Sequence, residues 1–469
     1  MKNNLLLSSS IYVLGTFSVQ AVNFLVLICF ARLMQPDDYG KFAIFVFWCA
    51  IMQVIIGMRA QYSINNAYID FGKEKVFSYS SAISCINLFS FVLFLAGIIL
   101  FSNFCSKLVG LPLSALILGV LQAFFFYYVQ LIVGIYRIEE KPIPYLLYTA
   151  STVILDAVIS CILVYLLPSD KYLGKAYGSL LATALTGGIA AFAVHKNGNW
   201  SFFRKDYVKY SLVFSLPLIL HGLASVFNGK VDAWFLMKLK SSGDAGLYSF
   251  AGNFGHVIYV LYTACNLAFI PWYYKKKAAE KNDIVKNLSL HYIFIFSLIF
   301  LFFLCLIPEV IDLLGTSAYG KAKYYAPATA LGFFFNFLYT FPTNYLFYRK
   351  KTSMIAVTTC ITFFLNFISN YYLIHHFGIY GAMITAALTP FIYLVINYCF
   401  AKYVVKDYEI PCRFFLLPGL FMCAAVALYY VLLPFMLLRY GIVLAGVCAA
   451  GYYYWKKYKS GEIAEMLKA

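Results

Sequence analysis

Long apolar runs dominate the pattern of the chain, and each is bounded by charged residues or by Gly and Pro. Fourteen runs reach the length of about 20 residues that an α-helix needs to cross a bilayer. They lie at roughly 10–34, 41–61, 78–101, 111–136, 143–167, 173–195, 210–237, 245–272, 289–308, 324–348, 353–375, 378–401, 414–433 and 435–455. The pattern predicts an all-α integral membrane protein with about 14 transmembrane helices. It excludes an outer-membrane barrel, whose strands alternate in segments of about 10 residues.

The composition and the distribution of charge support this interpretation. Hydrophobic residues make up 63% of the chain and charged residues only 12%, whereas a soluble domain carries about 25% charged residues. The net charge is +17. With the N-terminus in the cytoplasm, 25 Lys and Arg residues fall in inner segments and 10, including Lys175, in outer segments. Because basic residues concentrate on the cytoplasmic side, we expect both termini there, membrane lipids as contacts and no nucleic-acid partner.

The cysteines and the known nucleotide-binding motifs give no sign of enzymatic chemistry. Ten of the twelve cysteines lie within apolar runs, and no C-x-x-C pair occurs. We therefore expect no disulfide framework, no metal site and no cofactor. The chain also lacks the phosphate-binding loop G-x-x-x-x-G-K-[ST], so ATP hydrolysis by this chain is not expected.

The second half of the chain repeats landmarks of the first half at nearly one offset. The matching landmarks are Gly40 and Gly246 (offset 206), Tyr136-Arg137 and Tyr348-Arg349 (offset 212), and Gly178 and Gly381 (offset 203). Six spans separate the copies, so both have the same orientation and are related by an axis along the membrane normal. We expect an N-lobe at residues 1–200 (spans 1–6), a C-lobe at 201–405 (spans 7–12), and spans 13 and 14 with a cytoplasmic tail at 406–469.

Polar side chains form matching stripes on the first helices of the two copies. A polar group in hydrocarbon needs a partner or a wet cavity, so these positions are candidate functional residues. The stripe of span 7 has the spacing of one helical face and comprises His221, Ser225, Asn228 and Asp232. The corresponding positions of span 1 are Thr16, Gln20, Asn23 and Leu27, and span 8 adds Gly252, His256, Tyr259, Thr263 and Asn266. The stripes indicate a shared central cavity; the alternative is hydrogen bonding between packed helices.

Four charged residues within the predicted spans or at their ends are candidate functional residues. Asp156 is near the centre of span 5 and has no partner within one turn. It is either an ion-coupling carboxylate that carries H⁺ or Na⁺, or a protonated side chain that bonds to another helix. Asp232 is a second ion-coupling candidate; Lys230, two residues away, does not face it. Lys230 lines the cavity or snorkels outward, and Arg59 meets an anionic headgroup or follows the positive-inside rule.

Three sets of segments resemble a known family. They are Arg32-Leu-Met-Gln-Pro-Asp-Asp-Tyr-Gly-Lys-Phe-Ala, the segment Val231-Asp232-Ala-Trp-Phe-Leu with Ala245-Gly246-Leu-Tyr-Ser-Phe-Ala, and openings of the type Tyr-Gly-x-x-x-Ala-x-Ala-Leu-Thr. Together they resemble the polysaccharide or O-antigen flippases of the Wzx type, in the multidrug/oligosaccharidyl-lipid/polysaccharide exporter superfamily. The resemblance covers essentially all of the chain. The family usually has a basic residue after the span-7 Asp, where this chain has Ala233.

The resemblance implies two six-helix lobes around a cationic cavity, with two helices appended. The implied activity moves an undecaprenyl-diphosphate-linked oligosaccharide across the bacterial inner membrane by alternating access with ion coupling, in lipopolysaccharide O-antigen or other polysaccharide biosynthesis. On this interpretation Arg59, Lys230, His221 and His256 compensate the diphosphate charge, while Gln20, Asn23 and Asn228 bond to sugar hydroxyls.

Two other classes of protein remain as alternatives. A drug or cation antiporter of the same superfamily would share the fold, but it should have a more acidic cavity and a less basic chain. A membrane polysaccharide polymerase or ligase would be an enzyme with a large outer loop for its active site. The outer loops predicted here are short.

Overall fold

The computed structural model describes residues 19–459, without the side chains of residues 450, 453–455 and 457–459. Its helices are α1 (Val19–Leu33), α2 (Pro36–Ile55), α3 (Ile64–Phe71), α4 (Val76–Leu100), α5 (Ser102–Val109), α6 (Leu113–Ile138), α7 (Pro142–Leu166), α8 (Tyr172–Asn197), α9 (Lys205–Leu239), α10 (Ser242–Ala278), α11 (Asn282–Leu314), α12 (Ala326–Tyr348), α13 (Thr352–Phe377), α14 (Ile379–Cys399), α15 (Arg413–Leu432) and α16 (Met436–Lys459).

The helices confirm the prediction of an all-α, multi-span membrane protein. Eleven candidate spans are long and apolar enough to cross a membrane, and α1, α12 and α16 occupy the three other predicted spans. The start of the first predicted span, including Thr16, lies outside the described residues, as does the chain after residue 459. Helices suit this environment because every backbone hydrogen bond is made within the segment.

Large apolar side chains cover the outside of many helices. On α4, Phe89 is 65% exposed, and Leu181 and Leu185 on α8 are also exposed. In water such a surface would be an aggregation or interaction site. Against lipid tails it needs no further partner, which agrees with the predicted membrane location.

The chain divides into two compact units, with the boundary between Ser249 and Phe250. In the first unit, α4 and α6 pack around a core of apolar and tyrosine side chains that includes Tyr79 and Tyr127. In the second unit, phenylalanines of α11 and α12 form much of the core, and the ring centroids of Phe296 and Phe337 are 4.1 Å apart.

Glycines bring consecutive helices of each unit into close contact. A methyl group at Gly178 of α8 would lie 2.4 Å from Ser160 Oγ on α7. In the second unit, a methyl group at Gly381 of α14 would lie 2.1 Å from the carbonyl oxygen of Leu373 on α13. Small residues allow such backbone approach in membrane bundles. The repeat landmark Gly178/Gly381 therefore marks the same type of helix contact in both units.

Candidate functional site

The second predicted span is broken near its end. Helix α2 ends at Ile55, and three successive residues, Gly57, Met58 and Arg59, have φ values of 77°, 49° and 56°. This left-handed region favours glycine, and side chains adopt it at a cost. Gly57 allows the turn because a methyl group there would lie 2.3 Å from the ring of Tyr127. The sequence predicted Arg59 at the end of a span, whereas the structure places it in a break between α2 and α3.

The break directs Arg59 toward α9. A methyl group at Gly222 of α9 would lie 2.6 Å from Arg59 Nε, so glycine leaves the room that the guanidinium occupies. The guanidinium carbon also lies 4.9 Å from the ring centroid of Tyr62, within cation–π range. Arg59 Nε is buried and has no hydrogen-bond partner among the described residues. An unpaired charged donor of this kind is costly and suits an anion.

The polar stripe of α9 continues from this contact. His221 and Lys230 are exposed, while Asn228 is partly buried. Both side-chain polar atoms of Asn228 are buried and lack a hydrogen-bond partner among the described residues. An amide has four hydrogen-bonding positions, so Asn228 is a second group on α9 with unused bonding capacity.

The structure gives Asp156 a partner that the sequence interpretation did not identify. Lys175 Nζ of α8 lies 2.5 Å from Asp156 Oδ2 of α7. The hydroxyls of Ser160 and Ser179 donate to Asp156 Oδ1 at 3.0 and 2.9 Å. Lys175, which the sequence assigned to an outer segment, is only 8% exposed. It is a buried residue of α8, and its ammonium lies 5.7 Å from the ring centroid of Phe30.

Asp232 and Lys230 have different surroundings although they are two residues apart. Asp232 is buried and accepts a 2.6 Å hydrogen bond from the hydroxyl of Tyr248. Lys230 is exposed.

The remaining predicted site residues lie on α1 and α10. On α1, Gln20 is partly buried and Asn23 is exposed. His256 on α10 belongs to the second unit, where its exposed ring stacks on Tyr259 with centroids 4.8 Å apart and meets the edge of Phe333. The structure thus brings Arg59 against α9, and it places His256 in an aromatic group.

Sequence reasoning missed two further polar groups near the break and on α9. Gln61 Oε1 and Ser215 Oγ are buried without a hydrogen-bond partner among the described residues. Gln61 follows Arg59 by two residues within the same broken segment. The position of Gln61 at the end of an apolar run could have identified it as a candidate. A serine within a span, such as Ser215, is too common to single out.

The repeat landmark Gly40/Gly246 forms a direct contact within the first unit. A methyl group at Gly40 of α2 would lie 1.8 Å from the carbonyl oxygen of Ser242, at the start of α10. A methyl group at Gly246 would lie 1.9 Å from the carbonyl oxygen of Pro36. The Ser242 hydroxyl also donates to Asp37 Oδ1. The first turns of α2 and α10 are therefore held together at a place where no side chain fits.

The second unit has an uncharged polar network between α13 and α14. Asn366 Nδ2 donates to Thr389 Oγ1 at 2.9 Å, and the Thr385 hydroxyl donates to Asn370 Oδ1 at 2.9 Å. All four side chains are buried. This network matches the alternative interpretation of polar residues in spans, namely hydrogen bonding between packed helices.

Comparison with known proteins agrees with the fold and the sequence pattern. Residues 5–277 match a family described as polysaccharide biosynthesis protein. A protein of the Lsg locus of Haemophilus influenzae is 24% identical over 357 residues, which are 74% of this chain and 86% of that protein. An uncharacterized membrane protein of the same organism is 23% identical over 374 residues, or 76% of this chain and 88% of that one.

Solved structures of transporters share the fold. The lipid II flippase MurJ in an inward closed conformation has a TM-score of 0.71 at 15% identity, covering 95% of this chain and 99% of MurJ. An inward-facing multidrug resistance transporter of the MATE family, in the MOP superfamily, has a TM-score of 0.67 at 13% identity, covering 84% and 98%.

Proposed function

Because the chain belongs to the polysaccharide biosynthesis protein family, we propose that it is a flippase for an undecaprenyl-diphosphate-linked oligosaccharide. It moves this lipid across the bacterial inner membrane by alternating access, with both termini in the cytoplasm, and serves O-antigen or another polysaccharide pathway. The fold it shares with a lipid II flippase supports this proposal.

The observation that carries the proposal is the placement of Arg59. Its charge is held at a helix break against α9, and its Nε is buried with no partner among the described residues. A charge inside a membrane bundle marks a substrate or ion pathway as a rule. A diphosphate offers acceptor oxygens that match a guanidinium in geometry and charge. Lys230 and His221 on α9 add basic groups, and Asn228 offers an amide for a sugar hydroxyl.

The remaining predicted residues extend this proposal. Gln20 and Asn23 on α1 bond to sugar hydroxyls, and His256 on α10 adds a basic group beside the diphosphate. Asp156 and Asp232 are the ion-coupling carboxylates, with H⁺ or Na⁺ as the coupling ion. The polyprenyl tail stays in lipid.

The decisive experiment measures flipping by the purified full chain in liposomes. The liposomes contain undecaprenyl-diphosphate-oligosaccharide with a fluorophore on the sugar, and no ATP. An impermeant reductant bleaches the outer leaflet only, so protein-free liposomes lose about half of the signal. Active protein is expected to bring the remaining lipid outward, so that the loss approaches completeness. Folded protein that moves no lipid contradicts the proposal.

A matched pair of variants tests the role of Arg59. Arg59→Gln is expected to weaken binding of the lipid-linked diphosphate about 10- to 100-fold, because a hydrogen bond to a charged group contributes about 1.5–3 kcal/mol. Arg137→Gln, at an exposed position at the end of α6, removes the same charge and should leave binding unchanged. Equal behaviour of the two variants would remove Arg59 from the site.

A further inference from the structure

The ion pair between α7 and α8 has the composition of an occupied cation site. The Lys175 ammonium contacts Asp156 Oδ2, and the hydroxyls of Ser160 and Ser179 donate to Asp156 Oδ1, so four side-chain oxygens are grouped at this ion pair. Oxygen ligands of this type suit a hard metal cation. The Lys175 Nζ already lies 2.5 Å from Asp156 Oδ2. An alkali cation carries the same charge as the ammonium, so the two repel each other and compete for that oxygen.

The second unit shows that joining such helices does not require charge. The pair α13/α14, which carries the repeat landmark Gly381, is joined by neutral Asn and Thr side chains, such as Asn370 and Thr385. Burying an ion pair costs several kcal/mol of desolvation per ion, which the attraction between the ions does not always offset. The Asp156–Lys175 pair is therefore a more costly solution than the one used between α13 and α14.

We propose that Lys175 is a tethered counter-cation that occupies the cation position at Asp156 and closes this carboxylate to Na⁺ and K⁺. Of the two coupling ions considered, the proton is then the one that acts at Asp156. It adds to the carboxylate oxygen without needing the space of the ammonium, and it releases Lys175 from its partner. Removing the Lys175 charge converts the site into an alkali-cation site.

The charge of Asp156 is compensated directly by Lys175, whose Nζ lies 2.5 Å from Asp156 Oδ2. The titratable groups near the pair include the thiols of Cys161 on α7 and Cys49 on α2. Neither is a cation, so neither supplies the positive charge that Lys175 brings.

The test measures cation binding through the melting temperature of the purified full chain in detergent. NaCl is compared with N-methylglucamine chloride at equal ionic strength. The native chain is expected to show no Na⁺ dependence that involves Asp156. Lys175→Met is expected to gain a Na⁺-dependent rise of about 1–2 °C at tenfold excess over Kd, because a ligand that binds only the folded state stabilises it.

Three further variants make the result specific. Asp156→Asn combined with Lys175→Met should fold, as the neutral pairs of the second unit do, and should lose the Na⁺ response. Lys196→Met, at an exposed position near the end of α8, should behave as the native chain. Lys175→Met without a Na⁺ response would overturn the proposal. So would a native Na⁺ response that disappears in Asp156→Asn, and this arm holds even if Lys175→Met does not fold.

The inference rests on the proposed function, in which Asp156 is a coupling carboxylate. Its test measures binding and not transport, so the two can fail separately. A chain that flips lipid but binds Na⁺ at Asp156 refutes only the role of Lys175. A chain that gains a Na⁺ site on loss of Lys175 but moves no lipid refutes only the flippase.

Discussion

Replacing Gly40 by Ala tests whether the contact between the first turns of α2 and α10 must open and close. The new methyl group would lie 1.8 Å from the Ser242 carbonyl oxygen, whereas real Cβ contacts below 3.0 Å essentially do not occur. The obstacle is backbone, so no side chain can rotate away. The two helix starts would have to separate by more than 1 Å.

The expected energetic effect follows from overpacking. Inserting a methyl group into a packed contact costs about 1–3 kcal/mol, which lowers the ratio of the closed to the open contact about 5- to 150-fold. The proposed function by alternating access requires a closed form at each end of the bundle in turn. Gly40→Ala is therefore expected to slow flipping while the protein still folds, because the chain accumulates with this contact open.

Disulfide formation provides the assay for the closed contact. The side chains of Asp37 and Ser242 are hydrogen-bonded, so cysteines at these two positions should cross-link when the contact is closed. The linked peptide is quantified by mass spectrometry because the chain has twelve native cysteines. Gly40→Ala should slow cross-linking at least fivefold.

The matched control is Gly97→Ala on α4, where a methyl group meets nothing within 4 Å. It should leave cross-linking and flipping at the native rates. If Gly40→Ala cross-links as fast as this control, the helix starts tolerate the added group, and the reasoning from the close contact is wrong.

Two further predictions concern stability, measured by the melting temperature in detergent. Gly57→Ala should lower the melting temperature clearly, because the left-handed backbone costs about 1 kcal/mol for a residue with a side chain and the methyl group would lie 2.3 Å from the Tyr127 ring. The control Gly188→Ala, where a methyl group meets nothing within 4 Å, should not lower it. Lys277 and Glu409 form a 2.6 Å ion pair with side chains only 8% and 10% exposed. Lys277→Met alone should lower the free energy of unfolding by about 3–5 kcal/mol, because it leaves the Glu409 charge buried without its partner. Adding Glu409→Gln should restore most of this stability. Equal melting temperatures of the single and double variants would contradict this.

The membrane architecture was predictable because hydropathy and helix length are properties of local segments. The repeat was also visible, and its landmarks Gly40 and Gly246 lie at the close contact. The contact itself was not predicted, since a sequence offset shows which residues correspond and not which residues touch.

The charged and broken regions were less predictable. The prediction that Asp156 has no partner within one turn was wrong, because the hydroxyl of Ser160, four residues along α7, donates to it. Lys175 reaches Asp156 from α8, since Gly178 lets α7 and α8 approach. The break at Arg59 was missed for a similar reason. A glycine such as Gly57 indicates a backbone that can adopt a left-handed conformation. The left-handed backbone of Met58 and Arg59 depends on packing against other helices, which the local sequence does not show.

The contact of Gly40 and Gly246 has the symmetry of a homodimer interface within one chain. Gly40 approaches Ser242 and Gly246 approaches Pro36, and each pair of equivalents, Pro36 with Ser242 and Gly40 with Gly246, is 206 residues apart. In such an isologous interface the same surface patch is used by both partners. The two copies therefore share one steric constraint. A side chain added at either glycine would clash with the backbone of the other copy in the same way.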